Sequence, residues 1–267
     1  MQTFWFLFNG EQLFLIRKGR NYELPEGTEP PAPVEGLIHE IARTEECAYL
    51  AAAIEQADLI PALPATENTA NGPVWMGLRE AYDLLPVSVY RMAGKGKQLI
   101  FWDKNSRFCP ACGEKTILST AISKKCPGCG KEIFPHVSPA ILVMIHRGEE
   151  ILLVHARNFK GPFHSLIAGF VETGESLEEC VAREVREETT LEITHIRYFG
   201  SQEWPYPSGL MIGFEADYVS GDIRFADGEL SEGGFCTREN LPVLPQKLSL
   251  ARKMIDSWLQ SAPVRTE

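Results

Sequence analysis

The sequence predicts an α/β fold: a sandwich of strands and two helices in the C-terminal half, preceded by a small cysteine-marked module and a mixed α+β N-terminal domain. Three observations lead there. Apolar runs of strand length at 140–145 and 151–154 flank the turn residues Arg147-Gly148-Glu149-Glu150. A capped, amphipathic segment opens at Ser176, and a second helical pattern covers about 248–259. Two CxxC pairs, thirteen residues apart, mark a module of their own.

The expected domains are a supporting domain at 1–104, the cysteine module at 105–135 and the main domain at 136–267. The first begins with apolar runs at 4–8 and 13–16 around Asn9-Gly10, the pattern of a β-hairpin. No cationic leader precedes them, so they do not read as a signal sequence. A proline-rich turn at 29–33 follows, then a helix expected at 36–42 and a segment around Trp75-Met76-Gly77-Leu78-Arg79. None of this announces chemistry; a supporting or dimerising role is expected. In the main domain, strands are expected at 193–198 and 210–219.

With 267 residues and a formal net charge of −10, the chain is a poor candidate for broad, salt-driven nucleic-acid binding. No apolar run approaches membrane-span length, and Val264-Arg265-Thr266-Glu267 carries no retention or peroxisomal signal. A cytoplasmic protein with no membrane partner is expected.

Cys109-Pro110-Ala111-Cys112 and Cys126-Pro127-Gly128-Cys129 read as two knuckles that aim four thiolates at one point, a structural Zn²⁺ site. A redox disulfide is the alternative. A zinc ribbon can also bind nucleic acid, for which Lys124, Lys125 and Lys131 offer weak support. Cys47, Cys180 and Cys236 fit no pairing pattern, and Cys180 is expected to be buried.

In the segment after Gly169, Ser176 and Glu179 form a capping box. Leu177, Cys180 and Val181 share one helix side, and Glu184, Glu187 and Glu188 arrive at nearly the same angles one turn later. Carboxylates gathered there must be protonated, solvated or neutralised by cations, and a hard divalent ion such as Mg²⁺ or Mn²⁺ answers that need.

The order resembles the Nudix box. Gly169, Glu175, Arg183, Glu184, Val185, Glu187, Glu188 and Leu191 match it, while Thr190 replaces its final glycine. Glycine there would suit a left-handed C-cap, which costs another residue about 1–2 kcal/mol. Either Thr190 absorbs that strain or the helix ends differently.

Beyond the box, Ser201-Gln202-Glu203-Trp204-Pro205-Tyr206-Pro207-Ser208-Gly209 holds aromatics on a proline-stiffened backbone, suited to stacking on a base or nicotinamide. It resembles the SQPWPFPxS signature of NADH pyrophosphatases, with Glu203 in place of proline, Tyr206 in place of phenylalanine and Gly209 in place of serine. The domain order matches that family too.

The resemblance implies a Nudix α/β/α sandwich joined to a zinc ribbon and a Nudix-like N-terminal domain. It implies catalytic Glu184, Glu187 and Glu188, with Glu229 and the Ala168 carbonyl completing the Mg²⁺/Mn²⁺ site. It further implies substrate contacts from Arg79, Phe134, Phe170, Ala251 and residues 202–209. Glu175 is expected to orient the loop. The implied reaction cleaves NADH or NAD⁺ to nicotinamide mononucleotide and AMP, with NAD-capped RNA as a further substrate and a homodimer as the working form. Two other readings stay open: a Nudix pyrophosphatase for ADP-ribose or dinucleoside polyphosphates, and a non-catalytic ribbon module that binds nucleic acid.

Overall fold

The structure, a computed structural model, describes residues 1–54, 71–225 and 228–261; Asp227 and the C-terminal residues 264–267 lie outside these. The described chain forms two compact units, Met1–His136 with Pro205–Ser208, and Val137–Trp204 with Gly209–Glu267. No described helix is long and apolar enough to cross a membrane.

In the first unit, β1 (Gln2–Asn9) and β2 (Gln12–Lys18) form the expected hairpin, with Gly10 taking the positive φ its turn needs. β3 (Asn21–Glu23), β4 (Glu35–Arg43), β5 (Cys47–Ala53) and β6 (Gly72–Gly77) complete a six-stranded sheet of order β3-β2-β1-β5-β4, with β6 on β2. β1 runs parallel to β5, and the other pairs are antiparallel. The helix expected at 36–42 is therefore strand β4. His39 and Ile41 are buried while Ile38 and Glu40 are exposed, a period of two that the apolar content of the segment had masked.

α1 (Val87–Asn105) lies against β4 and β5, with Gly96 facing the Ala51 methyl. The sequence reading did not find it. Pro86 gives no side-chain cap, and the buried residues include Gly94, Gly96, Lys97 and Asp103, so no continuous apolar stripe advertises the helix. The ribbon follows: β7 (Ile117–Thr120), β8 (Ser123–Lys125) and β9 (Glu132–Ile133). Lys124, expected on its surface, is buried instead. It forms an ion pair with Asp103, donates to the Asp103 carbonyl at 2.9 Å and sits 5.4 Å from the Trp102 ring centroid.

The second unit is built on β10 (Ser138–Arg147), β11 (Glu150–Ala156), β12 (Ile167–Phe170), β13 (Glu192–Trp204), β14 (Gly209–Ser220) and β15 (Leu230–Cys236). The order is β13-β14-β10-β11-β15, with β12 on β10. Strand alternation sorts the core into two layers. Ile141, Val143, Ile145, Leu152 and Val154 pack with Cys180, Val181 and Val185 of α2 (Leu177–Thr189). Leu142, Met144, Ile151 and Leu153 pack with Met254, Ile255 and Trp258 of α3 (Leu250–Gln260). Helices on both faces of one sheet make this the expected α/β/α sandwich.

Candidate active site and metal centres

α2 begins as its sequence dictates. Ser176 Oγ accepts from the Glu179 amide at 3.2 Å, and Glu179 Oε2 accepts from the Ser176 amide at 2.7 Å. Its end is also resolved. Thr190 takes the left-handed conformation (φ 61°, ψ 16°), with its amide donating to the Arg186 carbonyl at 2.9 Å and its Oγ1 to the Asp222 carbonyl at 2.8 Å. The threonine thus bears the strain expected of a residue in glycine's place and offsets part of it with one side-chain bond.

Arg183 organises the carboxylates. It grips Glu175 with two bonds of 2.7 and 3.0 Å, and bonds Glu184 and Glu187 at 2.9 Å each and the Phe170 carbonyl at 3.0 Å. That grip, with the Glu172 amide, holds the Glu175 carboxyl at about 2. Glu175 also accepts from the Glu172 amide at 2.7 Å, so it fixes the loop before α2, as the sequence suggested. Glu184 is shifted the other way. Burial raises its carboxyl, Arg183 opposes the rise, and the charges of Glu187 and Glu229 add to it. Glu229 is thus close enough for its charge to act on Glu184, and its carbonyl is anchored by the Arg157 amide at 2.9 Å.

The three α2 glutamates are not equivalent. Glu188 is 4% exposed, whereas the Glu184 and Glu187 side chains are 13% and 55% exposed. Gly169 on β12 shows how tightly strand and helix meet. A Cβ built there would lie 1.9 Å from the Glu184 carboxyl carbon, so only glycine leaves room for that carboxylate. Ala168 stands beside it in register with Leu142. The Glu184 carboxylate, set against a strand with no intervening Cβ, offers oxygens of the kind a hard divalent cation takes.

The zinc site is equally explicit. The four Sγ atoms of Cys109, Cys112, Cys126 and Cys129 all lie within 4.8 Å of one another, with Cys109–Cys129 at 3.6 Å and Cys112–Cys126 at 3.4 Å. Four thiolates around one zinc ion stand about 3.8 Å apart, given a Zn–S distance of about 2.3 Å. The Ala111 amide points at Cys109 Sγ and the Cys129 amide at Cys126 Sγ. The first bond is the main reason the Cys109 thiol is pulled down to about 6. Cys180, by contrast, is buried and pushed up to about 12, which keeps it an inert thiol.

Of the substrate candidates in the first unit, Tyr206 is the best connected. The Arg79 guanidinium lies 4.1 Å from its ring centroid and the Lys97 ammonium 4.6 Å, and its hydroxyl is 2.9 Å from that of Tyr90. Pro205 is buried and Pro207 exposed. Ser208 Oγ donates to the His136 carbonyl at 2.5 Å, and Phe134 is 55% exposed. Sequence reasoning missed Tyr90 and Lys97, because α1, the helix that carries them, was itself not legible.

In the second unit Phe170 is 66% exposed, free to present its ring. Gln202 is buried, donating to the Leu248 carbonyl at 2.9 Å and accepting from Lys253 at 2.6 Å, so touching a ligand would mean giving up one of these bonds. Glu203 and Trp204 close β13 opposite Leu210 and Gly209. A Cβ on Gly209 would stand 3.3 Å from the Trp204 carbonyl, a tight fit that glycine relieves. Ala251 is buried in the core with Leu250 and Met254, its methyl taken up by packing.

A sheet between two helices, with the box glutamate Glu184 seated against β12, defines a Nudix hydrolase domain, and the NUDIX domain family model matches residues 135–258. The NADH pyrophosphatase-like rudimentary NUDIX domain matches 2–102, and the NADH pyrophosphatase zinc ribbon domain matches 104–134. The NAD-capped RNA hydrolase NudC of Chromobacterium violaceum is 35% identical over 252 residues, 94% of this chain and 89% of that one. Its namesake from Pseudomonas syringae pv. tomato is 38% identical over 189 residues, 70% of this chain and 68% of that one. A crystal structure of a NUDIX hydrolase from Nitrosomonas europaea is 23% identical, with a TM-score of 0.48 over 56% of this chain and 91% of that one. The chain belongs to the NudC family of Nudix hydrolases, those with an NADH pyrophosphatase-type zinc ribbon.

Proposed function

We propose that this chain hydrolyses the diphosphate of NADH and NAD⁺, giving nicotinamide mononucleotide and AMP, and removes NAD caps from RNA. The observation that carries the reading is the seating of the Glu184 carboxylate against Gly169, where β12 and α2 meet. The names of the relatives support the substrate class.

Glu184, Glu187, Glu188, Glu229 and the Ala168 carbonyl would hold Mg²⁺ or Mn²⁺. When bound, such ions neutralise phosphate oxygens and lower the pKa of water. The chain's own contribution is preorganisation. Arg183 keeps Glu175 ionised and the loop fixed, and it holds Glu184 and Glu187 in place, so the carboxylates are positioned before a ligand arrives. A carboxylate of this cluster accepts the proton of the attacking water.

Within the first unit, Arg79, Phe134 and Pro205–Ser208 are the candidates for gripping the substrate. Within the second, they are Phe170, Gln202, Glu203, Trp204, Gly209 and the Ala251 backbone. A homodimer acting in the cytoplasm belongs to the same reading.

Glu203, a carboxylate where the resembling signature has proline, favours a second reading, a pyrophosphatase for ADP-ribose or dinucleoside polyphosphates. A panel of NADH, NAD⁺, ADP-ribose, diadenosine polyphosphates and NAD-capped RNA, assayed with and without Mn²⁺, separates the two. Metal-dependent preference for the nicotinamide compounds is expected; preference for another diphosphate would reject the substrate assignment and leave the hydrolase standing.

A further inference from the structure

On α1, Tyr90, Gly94 and Lys97 stand at i, i+4 and i+7, one stripe of the helix surface. All three meet the same short segment, Pro205–Ser208, which belongs to the first unit. The hydroxyls of Tyr90 and Tyr206 are 2.9 Å apart. A Cβ added to Gly94 would come within 3.2 Å of Pro205 Cγ, tight enough that the proline would have to give way. Lys97 is 6% exposed and ion-paired with Glu11, which keeps its charge at the Tyr206 ring instead of in solvent. Burial and the bond with Tyr90 raise the Tyr206 phenol, so it stays neutral over the working range.

Arg79 completes the arrangement. Its guanidinium covers the same ring at 4.1 Å, so at least one face of Tyr206 is taken by a cation and is not offered to a base. An arginine laid on an aromatic surface has already lost much of its rotamer freedom, and binding an anion then costs it less.

We propose that Tyr90, Gly94 and Lys97 form a seat on α1 that positions Tyr206, and through it Arg79, for an anionic group of the substrate. They are positioning residues, and Tyr206 backs the arginine instead of stacking on the nicotinamide. The proposal rests on the substrate reading above.

The test is a double-mutant cycle of Tyr90→Phe and Tyr206→Phe, read as KM and kcat for NADH with Mn²⁺. Each single change removes the same hydroxyl pair, so each is expected to raise KM about 3- to 10-fold, with kcat altered less than about twofold. The double variant is expected to match either single one. Gly94→Ala, which displaces Pro205 without touching a hydroxyl, is expected to raise KM in the same direction. Additive effects in the cycle, or a fall in Tm with KM unmoved, would overturn the seat. If the wild-type chain prefers another diphosphate, the substrate reading fails by itself. The same cycle run on that compound still decides: a coupled rise in KM supports the seat, and an unchanged KM overturns it.

Discussion

In the N-terminal sheet β4 pairs antiparallel with β5, β5 parallel with β1, and β1 antiparallel with β2. In the C-terminal sheet β13, β14, β10 and β11 repeat those three pairings in the same order. Each sheet is followed by a helix, α1 in one and α3 in the other. The copies part company between their second and third core strands. The N-terminal chain passes from β3 through a proline-rich stretch into β4, all of it described and none of it helical. The C-terminal chain inserts β12, a turn and α2, and with them every box glutamate. One strand scaffold therefore serves twice, and the box glutamates ride on a single insertion. The N-terminal copy contributes a helix instead, and α1 is where the Pro205–Ser208 segment finds its partners.

Substitutions that damage the insertion should sharpen this contrast. Among changes that leave every box glutamate in the chain, the largest effect is expected from Gly169→Ala, whose Cβ collides with the Glu184 carboxylate. Displacing that carboxylate should lower kcat/KM for NADH by at least about 10- to 100-fold, the scale of losing support for a metal ligand. Thermal unfolding should show whether the sheet survives; an active Gly169→Ala enzyme would break the argument that glycine is there for the carboxylate.

A smaller effect, in acid, is expected from Arg183→Gln. Glu175 has a folded pKa of about 2 against an ordinary 4.5, so its contribution is fully present above about 4.5 and is lost as pH falls through about 2. Glu184 works with the opposite sign, since burial raises its pKa and protonation relieves that penalty. Removing Arg183 should move the acid-unfolding midpoint to higher pH, as followed by circular dichroism. A midpoint unchanged from wild type would show that the Glu172 amide alone holds Glu175.

The smallest effect is expected from Thr190→Gly. Relief of the left-handed strain, about 1–2 kcal/mol, is opposed by loss of the bond to Asp222, about 0.5–1.5 kcal/mol, and by the entropy of glycine. Urea unfolding should show a net change within about 1 kcal/mol of zero. A large loss would mean that the threonine side chain holds the end of α2.

What could be read from the sequence tracks where local chemistry dictates structure. The capping box, the cysteine knuckles and the strand pair β10–β11 were legible because turn residues, ligand spacing and apolar runs act over a few residues. Strand β4 was misread because Leu37, Ile38 and Ile41, at i, i+1 and i+4, fit one face of a helix, whereas the strand turns Ile38 outward and buries His39 and Ile41. α1 escaped because its buried side holds Gly94, Gly96 and Lys97, residues chosen for what packs on them from far along the chain. Lys124 looked like a surface lysine until Asp103 appeared beside it, and the Tyr206 segment gave no sign of the Arg79 and Lys97 cations over its ring. Each of these depends on partners distant in sequence, which no local pattern encodes.

The central claim, that diphosphate hydrolysis belongs to the α2 insertion, is tested most directly by Glu188→Gln. This keeps the shape of the most buried of the three α2 glutamates and removes its charge. With Mn²⁺ present, turnover of NADH to nicotinamide mononucleotide and AMP should fall by at least about 100-fold, with zinc content unchanged at the four cysteines. Normal turnover in that variant would contradict the account.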